Sequence, residues 1–303
     1  MSIELKLGTR PSKLALVQAQ KVKKLICEYV TDVSVTIVPI KSEGDIQSDT
    51  PLSDLGGKGI FIKRLEAALI NHEIDAAVHS FKDVTAQLAD NTQLTGFLTP
   101  EAVTDCVVMS TKHSYKTLRD LPDGSVIATS SLRRKALLSR LYPHLVFQDI
   151  RGNVDTRIQK CHDGVADAVI LSEAGLIRLG LTSEISESLS PDQMIPAPGQ
   201  GVITIQSRKE DDPINHILAK ISDPKQHIIS QLDFLFLDTI GLNCNYPLGL
   251  YTTLEKNRVK MLIFWADKTL RVTKQQTFEC DLSAAQTDVV TLAKQIKESI
   301  ERL

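Results

Sequence analysis

Strand-length apolar runs along this chain repeatedly give way to helical periods across short polar loops, a pattern that argues for α/β units built on parallel sheets. Ile3, Leu5 and Leu7 alternate as a strand, Gly8-Thr9-Arg10-Pro11-Ser12 turns, and Leu14, Val22, Leu25, Ile26 and Tyr29 follow a helical period. Val33, Val35 and Ile37 predict the next strand. A loop holding Gly44, Pro51, Gly56, Gly57 and Gly59 leads to a predicted helix from about 60 to 71, and the run from Asp75 to His79 has the character of a central parallel strand. A second series begins near residue 103. Val107-Val108-Met109 comes first, then Val126-Ile127-Ala128 into a helix from Ser131 to Leu141, Leu145-Val146-Phe147 into a helix after Arg151, and Ala168 to Leu171 into a helix holding Arg178. Pro191, Pro196, Pro198 and Gly199 mark a hinge, after which Val202 to Ile205 reads as a strand returning to the first domain. A helix from about Lys225 to Ile240, strands near 250–254, 258–265 and 269–279, and a last helix from about Ala284 to Ile300 predict a small α+β domain. The expected domains are therefore 1–98 with 200–220, then 103–196, then 222–303.

The loops between these strands and helices carry arginines: Arg10, Arg133, Arg134, Arg151, Arg157 and Arg178. Lys and Arg total 35 against 37 Asp and Glu, a formal charge of −2, so these cations are not the by-product of a basic protein. Guanidinium pairs bidentately with carboxylate and keeps its charge when desolvated, which points to one pocket for a small molecule with several carboxylates. The same balance argues against nucleic acid or an anionic membrane as partner. No stretch long enough to span a bilayer is present, and MSIELKLGTR lacks the pattern of a signal peptide, so a cytoplasmic protein is expected. Five widely spaced cysteines and seven scattered histidines offer neither a disulfide framework nor a metal site.

Ser130 and Ser131 beside Arg133 and Arg134 combine hydroxyls, a helix N-terminus and two guanidiniums, an anion site by dipole and by charge, although one such loop alone would read as a capped helix with solvated arginines. Lys82 and Asp83 follow the buried strand, so they should emerge at its carboxyl end facing the same cleft. There an aspartate would be ionised, able to accept N–H donors or to stabilise a substrate cation. Gly56-Gly57-Lys58-Gly59 fits neither a Walker loop nor a dinucleotide fingerprint, and is equally compatible with a lid over an anion and with a turn. Cys244, in the loop NCNYPLG, reads locally as a small buried hydrophobe.

Taken in order, GTRxSxLAL, DTPLxxLGGKGxF, AVHSxKDV, TSSLRR, RGNVxTR, AGLxRLG, PAxGQG and CxxPxG resemble the porphobilinogen deaminase (hydroxymethylbilane synthase) family over residues of about 5 to 250. The resemblance implies two periplasmic-binding-protein-like lobes joined by hinge crossings, plus a small α+β C-terminal domain carrying a covalent dipyrromethane cofactor. It implies a transferase of tetrapyrrole and haem biosynthesis that joins four porphobilinogen molecules head to tail with loss of ammonia and releases hydroxymethylbilane, without a metal. On the matching positions Asp83 would be the catalytic group and Cys244 the thioether attachment point. Arg10, Ser12, Lys82, Ser131, Arg133, Arg134, Arg151, Arg157, Arg178 and Gln200 would bind cofactor and substrate or assist catalysis, and Lys58 and Phe61 would belong to an active-site loop. The chain departs from the family pattern at Glu43, Asp54, Arg64, Thr85, Glu173 and Leu242-Asn243. A monomer is expected. Two other readings stay open: a noncatalytic two-lobed binder of polycarboxylates or oxyanions, and a divergent deaminase that elongates slowly.

Overall fold

The computed structural model describes residues 3–41, 62–241, 246–267 and 269–302. The chain forms two compact units, Met1–Pro100 with Val202–Asn243 and Glu101–Gly201 with Cys244–Leu303.

The first unit is built on β1 (Ile3–Thr9), β2 (Val33–Pro39), β3 (Ala76–Ser80), β4 (Thr92–Phe97) and β10 (Ile203–Arg208), in the order β2-β1-β3-β10-β4. β1 pairs in parallel with β2 and β3, whereas β10 runs antiparallel to both its neighbours. Leu5 and Leu7, on one face of β1, are fully buried and pack with Ala19, Val22 and Ile26 of α1 (Lys13–Tyr29) and with Ile214, Ile217 and Leu218 of α6 (Asp212–Ile221). The apolar positions of α1 recur three and four residues apart, which is why its buried stripe meets the sheet. α2 (Lys63–Ile70) lays Leu65, Ala68 and Leu69 against Ile74 and Ala77. α7 (Pro224–Ile240) opens on Asp223, whose side chain accepts from Gln226 N, and has Pro224 in its first turn; it stops at Gly241, which adopts φ +66. The sequence reading groups this helix with the C-terminal segment; its contacts place it in the first unit.

The second unit repeats the plan with β5 (Asp105–Met109), β6 (Val126–Ala128), β7 (Val146–Gln148), β8 (Ala168–Ser172) and β9 (Glu187–Leu189), in the order β7-β6-β8-β5-β9. β6 is parallel to β7 and β8, and β5 is antiparallel to β8 and β9. The helices α3 (Leu132–Leu141), α4 (Val154–His162) and α5 (Glu173–Arg178) follow β6, β7 and β8. β11 (Leu248–Glu255), β12 (Arg258–Ala266) and β13 (Thr273–Asp281) form an antiparallel meander that packs with α8 (Ala285–Glu301). Phe264 and Ala266 of β12 share a core with Val107, Leu138, Ile170 and Ile195, so the meander is seated on the second α/β sheet.

Two expectations need correction. The sheets are mixed rather than parallel, because β5 and β10 each enter directly from the other unit, without the crossover helix that returns a strand in the same direction. β4, β9 and α6 were also not anticipated. β4 contains Gly96 and pairs across a register shift at Ile205/Gln206, and β9 is only three residues long, so neither shows a clean alternation.

Candidate functional site

In the first unit the parallel strands β1 and β3 end on the same edge, and their loops carry four of the expected residues. Arg10 follows β1 and is half-buried; Ser12 caps α1, its hydroxyl accepting from Ala15 N at 3.3 Å. Beyond β3 the chain makes a single 3-10 turn, Phe81–Asp83. Phe81 anchors it: the backbone N–H donates to Val202 O at 2.9 Å, and the buried ring meets Phe97 edge-on at 5.4 Å. With Phe81 pointing inward, Lys82 is half-buried and Asp83 is exposed. The Asp83 carboxylate has no hydrogen-bond or ion-pair partner among the described residues. Ser80 and Gln18 exchange hydrogen bonds of 2.9 and 3.3 Å, which fix the end of β3 to α1.

Beneath this edge runs a buried polar chain. His79 Nε2 donates to Gln206 Oε1 at 3.0 Å, and Gln206 Nε2 donates to Glu66 Oε1 at 2.9 Å and to Thr92 Oγ1 at 2.8 Å. Glu66 Oε1 also accepts from Ala89 N at 2.9 Å. Burial lowers the His79 pKa to about 4 against the smaller opposing effect of its hydrogen bond to Gln206, so the ring is neutral at pH 7.

In the second unit the carboxyl ends of β6 and β7 are tied together, Ser130 Oγ donating to Ile150 O at 2.8 Å and accepting from Ile150 N at 3.1 Å. Ser131 caps α3, accepting from Arg134 N at 3.4 Å. Arg133 and Arg134, in the first turn of α3, turn into the protein and are buried with Asp105, which is 0% exposed. Arg134 donates from Nε and Nη2 to Asp105 Oδ1 at 3.0 and 2.7 Å and from Nη1 to Ile170 O at 2.7 Å. Arg133 Nη1 lies 2.8 Å from Asp105 Oδ2, as an ion pair without hydrogen-bond alignment, and donates to Ile195 O at 2.7 Å. Gln200 Nε2 joins the same carboxylate at 3.0 Å and also reaches Val103 O at 2.8 Å. Burial alone would raise the Asp105 pKa; the guanidiniums of Arg133 and Arg134 outweigh it and hold the carboxyl well below the usual range. Arg133 Nε and Gln200 Oε1 are buried without a hydrogen-bond partner among the described residues.

Arg178, on α5, donates from Nε and Nη2 to Glu101 Oε2 at 2.9 and 2.5 Å, and Nη2 also donates to Gly201 O. Arg151 and Arg157 belong to the turn into α4, where Arg157 Nε donates to Gly152 O at 2.7 Å. Gly152 has φ +117, and a Cβ there would sit 2.9 Å from Thr156 Cβ, so this turn requires glycine. Glu173 accepts from Thr104 Oγ1 at 2.5 Å at the end of β8.

Arg133, Arg134 and Gln200 thus come together on one carboxylate, Ser131 caps the helix that bears the two arginines, and Arg178 is held by Glu101. Arg10, Ser12, Lys82 and Asp83 share an edge of the first unit. Cys244, Lys58 and Phe61, with Glu43 and Asp54, lie outside the described residues. The sequence reading missed Asp105, Glu101, Glu66 and Gln206. Only Asp105 left a signal: an acid at the head of the otherwise apolar run DCVVM marks a buried counter-ion. Among the described residues no group of three His, Cys, Asp or Glu is arranged to hold a metal, and no helix is long and apolar enough to cross a membrane.

The family model described as "Porphobilinogen deaminase, dipyromethane cofactor binding domain" matches residues 5–216. A porphobilinogen deaminase of Nitrobacter hamburgensis is 39% identical over 300 residues, covering 96% of this chain and 92% of its own length. A probable porphobilinogen deaminase of Methanocella arvoryzae is 40% identical over 249 residues, covering 82% and 80%. Among solved structures, a nutrient binding protein from Burkholderia cenocepacia bound to methionine aligns with a TM-score of 0.44 at 16% identity, over 75% of this chain and 96% of that one.

Proposed function

Since the chain belongs to the porphobilinogen deaminase family, we propose that it is a hydroxymethylbilane synthase, the transferase that condenses four porphobilinogen molecules head to tail with loss of ammonia and releases the linear product by hydrolysis. The observation that carries this reading is Asp83, an exposed carboxylate on an anchored turn at the carboxyl end of β3. There it accepts hydrogen bonds from pyrrole N–H groups and stabilises the positive charge that develops on the substrate as ammonia leaves. Lys82, Arg10 and Ser12 on the same edge, and Ser131, Arg133, Arg134, Arg151, Arg157, Arg178 and Gln200 of the second unit, serve the carboxylates of substrate and cofactor or assist catalysis.

The residues fit a covalently held polycarboxylate. Two guanidiniums share the single carboxylate of Asp105, which leaves that cluster cationic, and Arg133 Nε is a buried donor without a partner among the described residues. When bound, the dipyrromethane supplies the primer onto which the incoming pyrrole is joined. Cys244 is its attachment point in this reading, and Lys58 and Phe61 belong to the loop over the site. A monomer working in the cytoplasm on a small molecule, with neither nucleic acid nor membrane as partner, completes the proposal. The free thiols of Cys27, Cys161 and Cys280 suit a reducing compartment.

Intact mass after expression tests the reading together with Ehrlich's aldehyde reagent and the consumption of porphobilinogen. An adduct of about two pyrrole units, lost in Cys244→Ser, and tetrapyrrole formation are expected. A chain that binds porphobilinogen but never acquires an adduct or turns over would be the noncatalytic binder instead. An adduct with slow elongation would identify the divergent deaminase.

A further inference from the structure

The two arginines of the buried cluster share their carboxylate unequally. Arg134 commits Nε and Nη2 to Asp105 Oδ1 and Nη1 to a backbone carbonyl, while Arg133 meets Oδ2 through Nη1 alone and keeps an unpartnered buried Nε. We propose that Asp105 is a positioning residue: it neutralises Arg134 and holds Arg133 as the cation that receives a ligand carboxylate. The inference rests on the function proposed above and refines the roles of the two arginines.

The physical case begins with repulsion. Adjacent guanidiniums buried together would each raise the cost of the other, and burial already opposes the charge of Arg133, an effect that Asp105 offsets and Arg134 reinforces. One carboxylate between them leaves a single net positive charge fixed in place before the ligand arrives, the condition under which a charge-assisted hydrogen bond forms with least reorganisation. Asp105 is itself fixed, since it opens β5, a strand paired on both sides, and takes a further hydrogen bond from Gln200. An amide cannot substitute. In Asp105→Asn either orientation of the side chain turns its NH2 group toward a guanidinium donor, Arg133 on one side or Arg134 and Gln200 on the other.

The test compares wild type, Asp105→Asn, and Asp105→Asn combined with Arg134→Met, reading melting temperature, the adduct-bearing fraction by intact mass, and KM and kcat for porphobilinogen. In the folded single variant, adduct should fall to about a tenth of wild type, or KM should rise about tenfold with a smaller change in kcat. The double variant again has one net positive charge and should recover at least about half of the loading. Wild-type loading and KM in Asp105→Asn would overturn the proposal. So would a double variant that regains melting temperature without loading, since Arg134 would then itself meet the ligand, and so would effects that merely add. If the single variant fails to fold, the double decides: folded and loaded supports the proposal, and anything else overturns it. Wild-type protein with neither adduct nor turnover would sink the proposed function, and this inference with it; wild-type loading with an unaffected Asp105→Asn sinks the inference alone.

Discussion

The two α/β sheets share a strand plan, three parallel strands followed by an antiparallel strand and an edge strand paired to it, yet their interiors are made polar in different ways. In the first unit the polar chain is His79, Gln206, Glu66 and Thr92, with one carboxylate and a neutral imidazole. In the second it is Asp105 with Arg133 and Arg134. The difference matches what each unit displays at the carboxyl ends of its strands. The first supports an acid held out to solvent, and the polar chain below it carries no cation. The second supports positive charge and does so with an ion cluster inside. A shared topology sets where functional groups emerge; the buried polar residues set their sign.

Five substitutions or titrations would break or sharpen this contrast. The largest effect is expected for Asp83→Ala, which should lower the rate of porphobilinogen consumption by about a thousandfold, with circular dichroism and melting temperature unchanged. Arg133→Leu should destabilise the second unit by about 3 kcal/mol in urea unfolding, because Asp105 Oδ2 loses its cation and the buried Ile195 carbonyl its donor, while Arg134 still holds Oδ1. Acid should separate the interiors by pH window. The folded pKa of His79, about 4, lies below its value of 6.5 in an unfolded chain, so the unfolded state binds the proton first and stability falls as pH drops from 6.5 towards 4. Asp105, depressed below 3.8, contributes stability that is present above that value and is lost only in stronger acid. Urea unfolding across that range should therefore show a loss on the order of 2–3 kcal/mol that His79→Gln removes and Arg133→Leu does not. Gln206→Leu strips hydrogen bonds from His79, Glu66 and Thr92 together and should cost about 1–3 kcal/mol, less than breaking the ion cluster. The smallest change, Gly152→Ala, should cost about 1 kcal/mol through the strained φ and the contact with Thr156.

The parallel strands could be read from sequence because each is a short apolar run ending in a polar loop, as in Ala76–Ser80 and Ala168–Ser172. The capping serine Ser131 could be read as well, since a hydroxyl just before a helical period has few other uses. Strand direction could not. Nothing in Val107-Val108-Met109 or Ile203-Thr204-Ile205 records that the partner strand runs the opposite way, because that depends on where the chain has come from. The arginines were read as a class, from charge and spacing, and their partners were not. Asp105 lies well before Arg133 in the chain, and Glu101 well before Arg178, so these pairings exist only once the sheet is folded.

Arg178 reaches Glu101 and Gly201, the first and last residues of the stretch that the second unit interposes into the first. One guanidinium therefore fastens both ends of an inserted cassette side by side, as the clasp of a necklace does. Such an insert asks of its host only two neighbouring points of entry and exit, while the returning segment that carries the meander depends on the core the insert provides.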